Sequence, residues 1–100
     1  MEHDSLQGLA RKAAAASGAV QVILFGSTAR GEARADSDVD LLLVLPDESD
    51  QGEALRRAQK ALLPRTVPLD LVAMHQSHWN EGASMLARTA SREGVTLYAE

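Results

Sequence analysis

The run VDLLLVL, residues 39–45, is the feature that most constrains how this chain can fold. It is nearly all apolar and of strand length, and it falls far short of the ~20 residues that a membrane-spanning helix needs. We therefore expect a strand of the core. Its entrance is acidic, because Asp36, Asp38 and Asp40 occupy alternate positions there. Carboxylates at the start of a core strand need a function or a partner that explains them, since burying an unpaired charge is unfavourable.

Other segments of the chain alternate between strand-like and helical patterns. Apolar residues at helical spacing predict three helices, the last with Ser77 as its N-cap and Gly94 after its end. Helices alternating with strands predict an α/β (α+β) class around one small sheet, in a single domain over residues 1–100. The predicted strands are 20–25, 39–45, 67–74 and 95–98, the helices 6–17, 54–62 and 77–90, and a short helical turn covers 28–33.

Composition excludes several classes of protein. The formal net charge is −4 without a basic stripe, which argues against a dedicated nucleic-acid binder. The chain has no cysteine, so disulfides and thiolate metal sites are excluded. Arg11 and Lys12 before an apolar run superficially resemble a signal peptide, but Gly18 and Gln21 interrupt that run. We expect a cytoplasmic protein without a membrane segment.

The carboxylates suggest a metal site. Asp38 and Asp40 are two residues apart, so in a strand they point to one face about 7 Å apart and repel each other unless a cation lies between them. Asp70 lies inside a third apolar strand, on the face opposite Leu69 and Leu71. If the two strands pair, three carboxylates converge and can hold two metal ions. The alternative is ordinary turn or helix-cap chemistry, which is the simpler reading of Asp36.

A possible phosphate site precedes the aspartates. Gly26 and Ser27 come directly after the first strand, where backbone amides and a hydroxyl can bind a phosphate. The same pair is also compatible with a plain strand-to-helix turn in which serine is the N-cap. Arg30 can neutralise a triphosphate or, equally, hold the aspartate loop by an ion pair. The chain contains neither a Walker A loop nor a G-x-S-x-G nucleophile elbow.

Taken together, these motifs resemble the polymerase-β-type nucleotidyltransferase superfamily, and specifically its minimal nucleotidyltransferase domains. The matching residues are GSTARG at 26–31, SDVDL at 37–41, and Asp70. The resemblance implies a small mixed sheet with helices packed on it. It also implies that Asp38, Asp40 and Asp70 are catalytic and bind two Mg²⁺ ions, with Asp70 helping to activate the attacking hydroxyl. Gly26, Ser27, Arg30 and Ser37 would then bind the nucleotide, which is ATP.

Members of this size resemble the antitoxins of toxin–antitoxin pairs. The resemblance implies a HEPN-domain RNase toxin as partner and transfer of AMP from ATP to a tyrosine of that toxin. Two alternatives remain open: an antitoxin that acts by steric binding without catalysis, and a small-molecule adenylyltransferase of the aminoglycoside type that uses a second chain. Replacing Asp38 and Asp40 would separate catalysis from binding.

Overall fold

The computed structural model describes residues 2–26, 31, 39–63 and 68–100, and the side chains from Leu6 onward within them. The elements in chain order are α1 (Glu2–Ser17), β1 (Gln21–Phe25), β2 (Val39–Leu45), α2 (Gln51–Ala61), β3 (Leu69–His75), α3 (Gln76–Glu81), α4 (Met85–Glu93) and β4 (Val95–Ala99). The predicted helical turn at 28–33 lies outside the described residues except for Gly31.

The described strands form one sheet of four, in the order β3-β2-β1-β4. β1 runs antiparallel to both β2 and β4, whereas β2 and β3 are parallel. Parallel neighbours need a crossover connection, and α2 lies in the segment that makes it. The predicted α/β class with a small mixed sheet is therefore confirmed. Within this sheet β3 and β4 are the edge strands, and β2 is flanked on both sides.

One face of the sheet packs against α1 and α2. Alternation along β2 directs Leu41, Leu43 and Leu45 to this face, where all three are fully buried. Small residues on the helices allow a close approach to the sheet. They are Ala10, Ala13 and Ala14 of α1 and Ala54 and Ala58 of α2. The apolar residues at helical spacing that predict the first helix thus form the surface that it buries.

The other face packs against α3 and α4. Ile23, Leu42, Val44 and Met74 are the buried strand residues of this second cluster. Ala87 and Ala90 of α4 complete it, and Trp79 of α3 packs against it while remaining partly accessible. Both faces of β2 are therefore covered, which explains why its sequence is apolar almost without interruption.

The prediction of a single last helix capped by Ser77 is wrong. The chain forms two helices, because Gly82 adopts a left-handed conformation, with φ of 60°, and ends α3. Ser84 then caps α4, and its side chain accepts a hydrogen bond from the backbone N–H of Ala87. The third strand begins at Leu69, and the predicted residue Val67 lies outside the described residues.

None of the helices in the described parts of the chain combines the length and the apolar composition that crossing a membrane would require.

Candidate functional site

Asp40 and Asp70 lie opposite each other on the parallel strands β2 and β3. Directly paired residues of neighbouring strands point to the same face, and the strands are ~4.8 Å apart. Asp40 is partly buried, whereas Asp70 is exposed on the edge strand. The structure thus brings together two of the three carboxylates that the sequence pattern singled out.

These carboxylates are at one end of the face that α3 and α4 cover. Asp40 precedes Leu42 and Val44 on that face, and Asp70 precedes Val72 and Met74. The later pairs pack into the second cluster, while the exposure of Asp70 shows that the carboxylate end is accessible to solvent. The alternation of side chains along β2 and β3 that builds the second cluster therefore also places the two acidic side chains side by side, at the start of both strands.

The register of β3 is fixed at both of its ends. Next to the aspartates, the amide of Val39 donates to the carbonyl oxygen of Pro68 at 2.9 Å. At the far end, Nε2 of His75 is 2.8 Å from the carbonyl oxygen of Ser49. Because a slip of one residue would turn Asp70 to the opposite face, these contacts keep the carboxylate pair together. Sequence reasoning missed this role of His75, since the contact depends on the fold.

A second hydrogen bond ties the same end of β3 to the loop after β2. The backbone N–H of Ser77 donates to Oδ1 of Asp47 at 2.9 Å. Together with the contact between His75 and Ser49, it holds the β2–α2 loop against the β3–α3 junction. The parallel pair is therefore clamped at the end opposite to the carboxylates.

β1 forms the third side of the site. Phe25, its last residue, is paired with Asp40 and partly buried. The next residue, Gly26, has a φ of 79°, which favours glycine. A Cβ built on Gly26 would lie only 2.3 Å from Oδ2 of Asp40. Sequence reasoning selects Gly26 as a phosphate-binding residue and misses Phe25, because alternation from Ile23 indicates only its face and the pairing with Asp40 depends on the fold.

The remaining predicted site residues, namely Ser27, Arg30, Ser37 and Asp38, lie outside the described residues. Within the part of the chain that the structure describes, no three acidic, histidine or cysteine side chains come together as a metal site. The described part of the site consists of Gly26, Phe25, Asp40 and Asp70.

The chemistry of these donors fits a hard divalent cation. Mg²⁺ prefers carboxylate oxygens at about 2.1 Å and usually retains water or substrate phosphate in its coordination shell. Asp40 and Asp70 supply oxygens from adjacent strands on one face. Because position 26 is glycine, the carboxylate group of Asp40 can lie close to the backbone there. These residues can hold a metal that a phosphate also binds.

Comparison with known proteins supports an assignment at the level of the family. The profile of the nucleotidyltransferase domain matches residues 6–95. A solved structure described as a candidate minimal nucleotidyltransferase is 31% identical, with 95% of each chain covered and a TM-score of 0.65. None of the curated proteins matches this chain closely enough to count as a relative.

Two similar structures are toxin–antitoxin complexes. One was solved with AMP-PNP and is 21% identical, with 100% of this chain and 75% of that chain covered and a TM-score of 0.67. The other is a mutant of the MntA–HpeT pair, also 21% identical over the same shares, with a TM-score of 0.65. At this identity the likeness shows the fold.

The family match and the fold define a small enzyme of the nucleotidyltransferase class. The chain belongs to the nucleotidyltransferase domain family, and its fold is that of the minimal nucleotidyltransferases.

Proposed function

We propose that this nucleotidyltransferase is the antitoxin of a toxin–antitoxin pair and that it transfers AMP from ATP to a tyrosine of a HEPN-domain RNase toxin. The observation that carries the chemistry is the in-register pair of Asp40 and Asp70 beside Gly26. We further propose that one domain over residues 1–100 performs the reaction, in the cytoplasm, where ATP and Mg²⁺ are plentiful.

In this proposal the three aspartates hold the metal ions. Asp38, Asp40 and Asp70 would bind two Mg²⁺, which neutralise the charge of the triphosphate when bound. Gly26, Ser27, Arg30 and Ser37 would bind the nucleotide. The strand pairing supports this division of roles, because Gly26 follows β1 on one side of Asp40 and Asp70 lies on β3 on the other side.

The reaction would be a displacement at the α-phosphorus. The hydroxyl oxygen of the acceptor forms a bond to that phosphorus, and the bond from it to the oxygen bridging to the β-phosphate breaks. Pyrophosphate leaves with the electron pair, and the proton of the hydroxyl passes to a carboxylate oxygen of Asp70. Holding the acceptor hydroxyl and the α-phosphate in line would contribute much of the rate enhancement, because the entropy of orienting them is then lost on binding and not in the transition state.

The exposure of Asp70 favours a large acceptor. Asp70 is solvent-exposed on an edge strand, whereas Asp40 is partly buried on the interior strand. An acceptor approaching from the β3 side would reach Asp70 without entering a closed pocket, as a tyrosine on a protein surface requires. The solved toxin–antitoxin complexes with this fold, one of them with AMP-PNP, support the choice of partner and nucleotide.

The aspartate pattern has a parallel in one of those complexes. The MntA–HpeT mutant carries two aspartate-to-glutamate replacements at positions two residues apart. Asp38 and Asp40 of this chain have the same spacing. The parallel supports the proposal that Asp38 and Asp40 act together, as metal ligands.

The test is transfer of label from α-labelled ATP with Mg²⁺ to the co-purified partner toxin. We expect labelled toxin with the wild-type chain, on a tyrosine identified by mass spectrometry, and a loss of about 100-fold or more with Asp70→Asn. Because Asp70 is exposed, this substitution should change the stability by less than about 0.5 kcal/mol. Glu48→Gln removes the same charge from an exposed loop and should leave transfer intact.

Three results would contradict the proposal: label on a small molecule, absence of label with the wild-type chain, or equal label with Asp70→Asn. Neutralisation of the toxin by Asp70→Asn without transfer would instead support an antitoxin that acts by steric binding.

A further inference from the structure

Gly26 is adjacent to the carboxylate of Asp40, and we infer that its missing side chain positions this carboxylate for metal binding. The inference deepens the proposed function and rests on its assignment of Asp40 as a metal ligand. It makes Gly26 a positioning residue, in addition to any contact that its backbone makes with a nucleotide.

The distances at Gly26 show which group would have to move. A Cβ built there would lie 2.3 Å from Oδ2 of Asp40, 3.2 Å from its Cγ and 3.5 Å from its Cβ. Cβ atoms essentially never come within 3.0 Å of a heavy atom outside their own residue and its chain neighbours, whereas 3.5 Å is an ordinary contact. The conflict is therefore confined to the carboxylate group and spares the base of the side chain.

Pairing with both neighbouring strands holds the backbone of Asp40 in place. Asp40 is paired with Phe25 on one side and with Asp70 on the other. The carboxylate is at the end of a side chain with rotatable bonds, so a methyl group at position 26 would turn it to another rotamer while the strand stays in place. Two carboxylates can share one small cation only when their oxygens converge at about 2.1 Å from it. Turning the Asp40 carboxylate away therefore weakens metal binding without unfolding the sheet.

Gly18 supplies a matched control. Its φ is 81°, against 79° for Gly26, so alanine meets the same backbone strain at either position. A Cβ at Gly18 would have no heavy atom within 4 Å. The difference between Gly18→Ala and Gly26→Ala thus separates the contact with Asp40 from the strain of a positive φ.

The experiment titrates the full chain with Mn²⁺ alone. Paramagnetic broadening of the backbone amide NMR signals monitors the binding. We expect localised broadening at the starts of β2 and β3 for the wild type and for Gly18→Ala. With Gly26→Ala, half-maximal broadening should require about tenfold more Mn²⁺, as is typical when the support of a metal ligand is lost. Equal titrations of the two alanine variants, or no localised broadening in the wild type, would overturn the inference.

A second arm covers the case in which Gly26→Ala does not fold. Adding Asp40→Ala removes the contacts at 2.3 and 3.2 Å and leaves none closer than 3.5 Å, so the double variant should fold as well as Gly18→Ala does. A double variant that remains unfolded would sink the inference. Neither arm contains ATP or an acceptor, so its outcome is independent of AMP transfer. If the wild type transfers AMP but the two alanine variants titrate equally with Mn²⁺, only this inference fails. If the Mn²⁺ titrations are as expected but no toxin is labelled, only the proposed function fails.

Discussion

Gly94 is the residue at which α4 ends against β1. A Cβ built there would lie 2.4 Å from the carbonyl oxygen of Ala90, 2.6 Å from Cγ2 of Ile23 and 3.0 Å from the carbonyl oxygen of Leu24. Two of these three atoms belong to backbone that secondary structure holds in place. The φ of Gly94 is −79°, which any residue can adopt, so the need for glycine here arises from close packing.

Substitutions at two glycines should therefore have opposite effects on stability. Gly94→Ala forces a methyl group into the contact between α4 and β1 and should lower the free energy of unfolding by about 1–3 kcal/mol. Gly8 lies in the middle of α1, and a Cβ built there would meet no neighbouring atom within 4 Å. Gly8→Ala should therefore raise the free energy of unfolding by about 0.5–1 kcal/mol, because alanine favours the helix. Urea denaturation measures both. A Gly94→Ala variant as stable as the wild type would show that α4 does not approach β1 this closely.

At the scale of whole elements, the break between α3 and α4 is set by two short signals. Gly82 ends α3, where its N–H bonds to the carbonyl oxygen of Trp79 at 3.2 Å. Two residues later, Oγ of Ser84 accepts from the N–H of Ala87 at 3.1 Å and begins α4. The turn lets both short helices cover the same face of the sheet.

This assignment of caps predicts a clear difference between two serines. Ser84→Ala should lower the free energy of unfolding by about 1 kcal/mol, because the first turn of α4 loses its side-chain cap. Ser77→Ala should change it by less than about 0.5 kcal/mol, since the backbone N–H that bonds to Asp47 is kept. Thermal or chemical denaturation of both variants gives the answer. The reverse order would favour one helix that begins at Ser77.

Elements with a strong local sequence pattern can be predicted from the sequence, whereas features that depend on the fold cannot. The strand over 39–45 was predicted to the residue, because its apolar run is local and is bounded by polar residues and a proline. The caps were not, since Ser77 and Ser84 both suit an N-cap, and the left-handed conformation of Gly82 that ends α3 before Ser84 is seen only in the structure. Likewise, alternation indicated the face of Asp70, but its pairing with Asp40 depends on a parallel crossover that no local pattern contains.

At the scale of the molecule, both hydrophobic clusters depend on the same strands. Leu42 of β2 belongs to the cluster under α3 and α4, and its neighbour Leu43 to the cluster under α1 and α2. Both leucines are fully buried. Loss of either cluster would expose one face of β2 and weaken its pairing with β1 and β3. We therefore expect the two layers of helices to unfold together with the sheet, as a single cooperative unit.

Trp79, the only tryptophan of the chain, makes this expectation testable. It packs in the layer of α3 and α4, so its fluorescence reports that layer, whereas far-UV circular dichroism reports all the helices and strands. Leu42→Ala and Leu43→Ala should each lower the free energy of unfolding by about 2–5 kcal/mol. In both variants the fluorescence and dichroism transitions should still share one midpoint in denaturant. If Leu42→Ala moved only the fluorescence transition of Trp79, the layer of α3 and α4 would unfold separately from the sheet. The strand register at Asp40 and Asp70 would then not depend on that layer.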